Sequence, residues 1–159
     1  MTFTFFYGPE SPFSNWYMMP FVHNGHQYNC SEQYMMYQKA MLFHDYDVAD
    51  MIMEQSHPRK QKFLGREVRN FDNEVWMENC EDIMVDGLYS KFTQDSYSLI
   101  TMIDSGDSII VEASPTDKIW GIGMDVNHPD INDPNKWKGM NLLGKVLMRT
   151  REKINDPTK

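Results

Sequence analysis

Cysteine is nearly absent from this chain: Cys30 and Cys80 are the two in 159 residues. Two thiols cannot build a disulfide framework and show no zinc-site spacing, so stability must come from a packed core. A reducing, cytoplasmic compartment is the expectation. Long apolar runs are missing too. No stretch approaches the roughly 18 uninterrupted apolar residues of a membrane span. The opening Met1-Thr2-Phe3-Thr4-Phe5 has no basic region leading into a long apolar stretch, so no signal peptide is expected. Positive charge is in short supply, with 15 Lys and Arg against 23 Asp and Glu for a net charge of -8. That balance excludes gripping duplex nucleic acid by bulk electrostatics, which needs cations to displace phosphate counterions. Internal repeats, low-complexity blocks, a phosphate-binding Gly-Lys-Ser loop and a dinucleotide fingerprint are all lacking.

What is present is a globular composition with a surplus of flat and pliable side chains: 41% hydrophobic, 13% aromatic, 14 methionines. A chain of this length buries roughly 70% of its unfolded surface, enough for one core. We expect a single domain over residues 1–154 and a frayed polar tail at 155–159. The fold class expected is mainly α (α+β), with about six helices, a small N-terminal β-hairpin and one short buried strand.

Phe3 to Tyr7 reads as an apolar strand broken by Gly8-Pro9. Asn24-Gly25, set between Phe21-Val22-His23 and His26-Gln27-Tyr28, predicts a two-residue hairpin turn. Ser31 is the expected N-cap of a helix from Glu32 to about Phe43. Further helices are predicted from about Asp47 to Gln55, from Pro58 to Gly65, from near Asp72 through Leu88, from about Gln94 to Ile103, and from near Asn141 onward. The long helix carries Trp76, Cys80, Ile83, Met84 and Leu88 at three- and four-residue spacing, a core-facing stripe. The β-branched run Ile109-Ile110-Val111 predicts a buried strand. The loop of about twenty residues from Trp120 to Gly139 is long for a compact domain, and we expect a functional role for it.

The helix beginning at Glu32 carries the most chemistry. Glu32 and Lys39, seven positions apart, fall about 20° from one another on one helical face, with Met35 and Met36 beside them. Tyr34, Tyr37 and Met41 cover the opposite side, so the helix is apolar nearly all round and should be buried. A lysine on such a helix either snorkels outward or loses hydration, lowers its pKa and becomes a nucleophile. Glu32 in a first helical turn also complements the helix dipole. Glu112, at the end of the buried strand and ahead of Ser114-Pro115, can present an acid to a pocket or pair with an arginine. Trp120 beside Gly121 suits stacking on a planar ring, or simple core packing. Arg59, Lys60, Lys62, Arg66 and Arg69 fall within eleven positions. A solvated basic face is the better account of the first three, and Arg66, after a helix end, could fork a phosphate. His23 and His26 lack a zinc motif, and the Asp125 to Asp133 segment fails as a calcium loop because Pro129 and Asp130 stand at critical positions. No metal and no cofactor is expected.

Taken in order, Pro12-Phe13-Ser14-Asn15-Trp16, Ser31-Glu32-Gln33-Tyr34 through Gln38-Lys39-Ala40, Lys62 to Arg66 with Val68, Lys91-Phe92, Val111 to Pro115, Trp120 to Gly123, and Trp137 with Gly139 to Gly144 resemble the YbiA-like (NADAR) family. Gln33 stands where many members carry histidine. The resemblance implies a compact, mainly helical fold and cleavage of N-glycosidic bonds. Two substrate classes go with it: ribosylamino-pyrimidine phosphates of riboflavin synthesis, and guanine bases carrying ADP-ribose. It also implies that a lysine, here Lys39, attacks the anomeric carbon. Combined with the reading above, Lys39 forms a Schiff base while Glu112 or Glu32 moves protons. Trp16 and Trp120 sandwich a ring, Ser14 and Asn15 take hydroxyls, Arg66 takes a phosphate, and Asp117 and Gly121 complete the binding surface. The expected partner is a small-molecule or nucleotide substrate, extending to ADP-ribosylated single-stranded DNA or RNA. A non-catalytic ADP-ribose-binding module is the alternative, and a structural partner protein the weakest reading.

Overall fold

The computed structural model describes residues 1–158. In chain order the elements are β1 (Phe3–Phe6), β2 (Phe21–His23), β3 (His26–Tyr28), α1 (Ser31–Leu42), α2 (Tyr46–Glu54), α3 (Pro58–Arg66), α4 (Asn73–Thr93), α5 (Ser96–Asp104), β4 (Ile109–Glu112), a 3-10 turn (Pro134–Lys136) and α6 (Leu142–Asn155). The α+β class, the helices and the short strands agree with the sequence reading.

The first strand pairs in parallel with the last, Phe3 opposite Ile109 and Phe6 opposite Glu112. Parallel neighbours require a long crossover, and here the crossover is everything from the hairpin to α5. Strand alternation then splits the apolar residues of the pair between two faces. Phe6 and Ile110 join the main helical core. Phe3, Phe5, Ile109 and Val111 face the other way and pack with Ile122, Met124, Ile131 and Trp137 of the long loop. Most of that loop therefore closes a second small core, while its first residue, Trp120, lines the cavity described below. The Trp137 indole N–H donates to the Ile131 carbonyl at 2.8 Å, tying the loop shut.

The hairpin turn is as expected, with Asn24 at φ 49° and Gly25 at φ 82°, the left-handed pair a type I′ turn demands. Helix α1 runs through the middle of the molecule, packed against α2, α3 and α4. Two glycines permit this. A Cβ at Gly87 of α4 would enter the Tyr34 ring, and one at Gly65 of α3 would meet the Met36 sulfur. The Tyr34 hydroxyl then donates to the Ile83 carbonyl at 2.7 Å, fixing α1 against α4.

Three local expectations need correction. Ser31 is the first helical residue, not the cap. Cys30 holds the cap position, and the Ser31 hydroxyl points into a buried polar cluster instead. Helix α5 begins at Ser96 under an Asp95 cap, whose side chain accepts from the Ser98 N–H, because Gln94 is the closing residue of α4; its amide bridges both main-chain groups of Val22. Helix α3 continues through Gly65 to Arg66. At the other end α6 persists to Asn155, one residue into the expected tail, and Lys159 lies outside the described residues. Gln33 is buried, accepting from the Asn29 N–H and donating towards carbonyls at the end of α2, a structural clamp.

Candidate active site

Where α1, α3, the 14–16 loop and the end of β4 converge they enclose a cavity of about 850 Å³. Its wall includes Ser14, Asn15, Trp16, Glu32, Lys39, Arg66, Glu112, Asp117 and Trp120, all of them expected site residues. Gly121 is the exception. Its missing side chain makes room for the Glu112 and Asp117 carbonyls and the Ser114 side chain, so it allows the loop to fold tightly and does not face the cavity.

Helical periodicity places Glu32 and Lys39 together, with Met35 and Met36 beside them on the wall. Glu32 is 3% exposed. Burial pushes its pKa up to about 7, and the charge of Asp117 adds to the shift while Lys62, Lys39 and Arg66 oppose it. Glu112 arrives from β4, whose end is fixed by Asn141. The Glu112 N–H donates to Asn141 Oδ1 at 3.1 Å, and Asn141 Nδ2 donates to the Ile110 carbonyl at 2.9 Å. Burial, with Asp117 and Glu32 nearby, raises Glu112 to about 8 against the pull of Lys62. Its Oε2 is buried with no hydrogen-bond partner among the described residues. The Lys39 amine is lowered below the ordinary lysine value by lost hydration; Glu32 opposes the shift and Arg66 adds to it. One carboxyl group raised to about 8, a second raised to about 7 and an amine whose charged form is disfavoured by lost hydration thus share a cavity, an arrangement suited to proton transfer and nucleophilic attack.

Other side chains of the wall are held by local turns. The Ser14 hydroxyl accepts from the Trp16 N–H at 3.0 Å. Asn15 takes the Ser31 hydroxyl on Oδ1 at 2.8 Å and the Glu32 N–H on its carbonyl at 2.9 Å, so it joins the loop to the start of α1. Asp117 Oδ1 accepts from the Ile119 and Trp120 N–H groups, both at 2.9 Å, so this residue aims Trp120 as well as lining the wall.

Sequence reasoning missed four residues. Lys62 lies on the wall one helical turn from Arg66, and neither forms an ion pair among the described residues. Their i, i+4 spacing was the available signal for rejecting a solvated face. Trp76, assigned to the core stripe, also reaches the wall, as does Phe71 from the α3–α4 connection. Lys91 sits behind the wall, fully buried. It donates to the Ser14 carbonyl at 3.0 Å and the Ser31 hydroxyl at 3.2 Å. Arg69 of the same cluster acts elsewhere, forking onto Asp45, the cap of α2.

Among the described residues no group of three or more His, Cys, Asp and Glu side chains is arranged to hold a metal ion, and no helix is long and apolar enough to cross a membrane.

Comparison with known proteins finds relatives named N-glycosidases and a solved structure of the same fold. A relative from Acanthamoeba polyphaga mimivirus, named N-glycosidase R617, is 46% identical over 146 residues, covering 88% of this chain and 85% of its own. N-glycosidase YbiA of Shigella flexneri is 28% identical, over 89% of this chain and 80% of its own. The NMR structure of the E. coli protein YbiA superposes with a TM-score of 0.79 at 26% identity, covering 99% of this chain and 87% of that one. The NADAR domain model matches residues 5–155, and the chain belongs to the NADAR domain family.

Proposed function

We propose that this protein is an N-glycosidase that cleaves the bond between a ribose anomeric carbon and a base nitrogen or amine through a Schiff base on Lys39. The observation that carries the reading is the meeting of the half-buried Lys39 amine with Glu32 and Glu112 in one cavity. The relatives' names supply the bond type.

With a pKa near 8, Glu112 holds its proton at neutral pH and can act as the general acid. Neutral Lys39 attacks the anomeric carbon. The carbon–nitrogen bond to the base breaks, and the departing nitrogen takes its electron pair and the Glu112 proton. The new secondary ammonium passes a proton to Glu32. The ring oxygen then leaves the anomeric carbon with that proton, producing a protonated Schiff base. Water adds to its carbon, giving a proton to a carboxylate, and collapse of the carbinolamine releases the sugar and restores the amine. Trp16 and Trp120 stack on the planar group, Arg66 with Lys62 receives a phosphate, and the Asn15 Nδ2 donates to a sugar hydroxyl.

The substrate is either a ribosylamino-pyrimidine 5'-phosphate or an ADP-ribosylated guanine, met as a free nucleotide or on a single strand. Incubating the protein with each compound and weighing the released base distinguishes them. Lys39→Ala abolishes release by a folded protein, and borohydride traps a sugar on Lys39 in the wild type. Undiminished turnover by Lys39→Ala sinks the assignment, and saturable binding without product leaves a nucleotide-binding module. A steep loss of affinity between low and moderate salt identifies a polynucleotide substrate.

A further inference from the structure

The Lys39 amine does not stand alone in the cavity. Its Nζ lies 4.4 Å from the centroid of the Phe71 ring, within cation–π range. Phe71 belongs to the short connection between α3 and α4, and that connection is built to hold it there. Arg69 is clipped to α2, its main-chain N–H donating to Asp45 Oδ2 at 2.8 Å and its guanidinium to Asp45 Oδ1 at 2.7 Å and Asp47 at 3.0 Å. Asn70 follows in the left-handed region at φ 60° and turns the chain back towards α1. Phe43 then abuts the Phe71 ring edge-on at 5.2 Å. Yet Phe71 itself is 41% exposed, so its ring is not kept in place as part of the core.

We propose that Phe71 is a positioning residue for the nucleophile: its ring holds the Lys39 ammonium over the cavity and yields it to the incoming substrate. A lysine has four rotatable side-chain bonds and would otherwise sample many directions. The aromatic face restricts that sampling while the amine carries its proton, and the attraction ends when the proton leaves. Loss of the proton thus frees the amine for attack, and the exposed ring is placed to shift as the substrate enters.

The ring favours the charged form, so its removal lowers the Lys39 pKa. Other groups act on the same amine and stay in place in the variants. Glu32 on α1 favours the charge and Arg66 on α3 disfavours it. Lys62 from α3, Glu112 from β4, and Asp117 and Lys118 from the following loop share the wall, with Tyr7 after β1. Among the described residues the neighbouring α4 contributes the uncharged Asn73 and Trp76 to the wall.

Titrating the 13Cε signal of Lys39 in lysine-labelled free protein, assigned through Lys39→Arg, tests the contact without substrate. Phe71→Leu lowers the Lys39 midpoint by about half a pH unit, and Phe71→Tyr leaves it at the wild-type value. An unchanged midpoint in Phe71→Leu, or an equal drop in Phe71→Tyr, overturns the proposal. A kinetic arm rests on the N-glycosidase reading. In it, Phe71→Leu moves the acid limb of kcat/KM down by the same amount and reduces kcat several-fold at the plateau, and Phe71→Tyr restores both. A plateau kcat unchanged in Phe71→Leu also overturns it. If the wild type shows neither turnover nor a borohydride adduct, the N-glycosidase reading fails, while the titration still decides the role of Phe71.

Discussion

Lys91 Nζ lies 3.0 Å from the main-chain oxygen of Ser14, fully buried and with no ion-pair partner among the described residues. Its remaining contacts are the Ser31 hydroxyl at 3.2 Å and the rings of Tyr17 and Phe92, with centroids 5.8 and 5.2 Å away. Burial lowers its pKa to about 7. Because Ser31 passes the connection on to Asn15, one lysine joins the cavity-lining 14–16 loop to the helix that carries Glu32 and Lys39.

Replacing Lys91 with methionine removes a buried charge while keeping the stem. A depressed lysine costs the folded state stability at and below pH 7, and that cost fades as pH rises towards the ordinary lysine value. Lys91→Met should therefore melt no lower than wild type at pH 6. The Ser14–Trp16 loop loses its anchor, and turnover should fall by about 10²-fold. Melting curves and kcat measured at pH 6 check both parts. Full activity in the variant would show that the loop needs no such tie.

The two raised carboxyls impose the opposite pH dependence. Glu32 goes from an ordinary value of 4.5 to about 7 on folding and Glu112 from 4.5 to about 8. The folded state binds more protons than the unfolded one across this window. Their contribution to stability is complete below pH 4.5 and is lost as pH rises through 7 to 8. For Glu32 the full loss is on the order of 3 kcal/mol. Glu32→Gln should match wild type near pH 4.5, melt several degrees higher at pH 8.5, and be inactive. Equal melting temperatures at pH 8.5 would contradict a buried carboxylate there.

Lys62 opposes the upward shift of both carboxyls. In Lys62→Met each rises further, so the basic limb of the activity profile, set by Glu112 losing its proton, moves to higher pH. The apparent KM for a phosphorylated substrate should rise about tenfold through loss of a phosphate contact, with kcat at the optimum less affected. An unmoved basic limb would mean that Glu112 does not control it.

Gly87 and Gly65 should differ when changed to alanine. At Gly87 the added methyl meets the Tyr34 ring, which is anchored by its hydroxyl, and overpacking costs about 1–3 kcal/mol. At Gly65 it meets Met36, whose flexible thioether can move aside, so the cost is smaller. Chemical denaturation of the two variants orders them, and a larger loss for Gly65→Ala would reverse the argument.

Some of this was legible in one dimension because it depends on near neighbours along the chain. Helical spacing alone put Glu32 and Lys39 on a shared face, the β-branched run announced β4, and Asn24-Gly25 announced its turn. The caps were less secure. Ser31 has the right chemistry for an N-cap, but Asn15 and Lys91 compete for its hydroxyl from 16 and 60 residues away, and they prevail.

Local pattern therefore determined the helices, the strands and the pairing of one acid with one amine. Tertiary structure alone decided that Glu112 joins them, that Lys62 and Phe71 face the same cavity, and that the long loop closes a second core. The physical reason is range. Backbone periodicity and turn preferences act over a few residues, whereas desolvation and charge coupling depend on which distant segments pack together. An ordinary acid at the end of a strand becomes a proton donor only once other elements have excluded water from it.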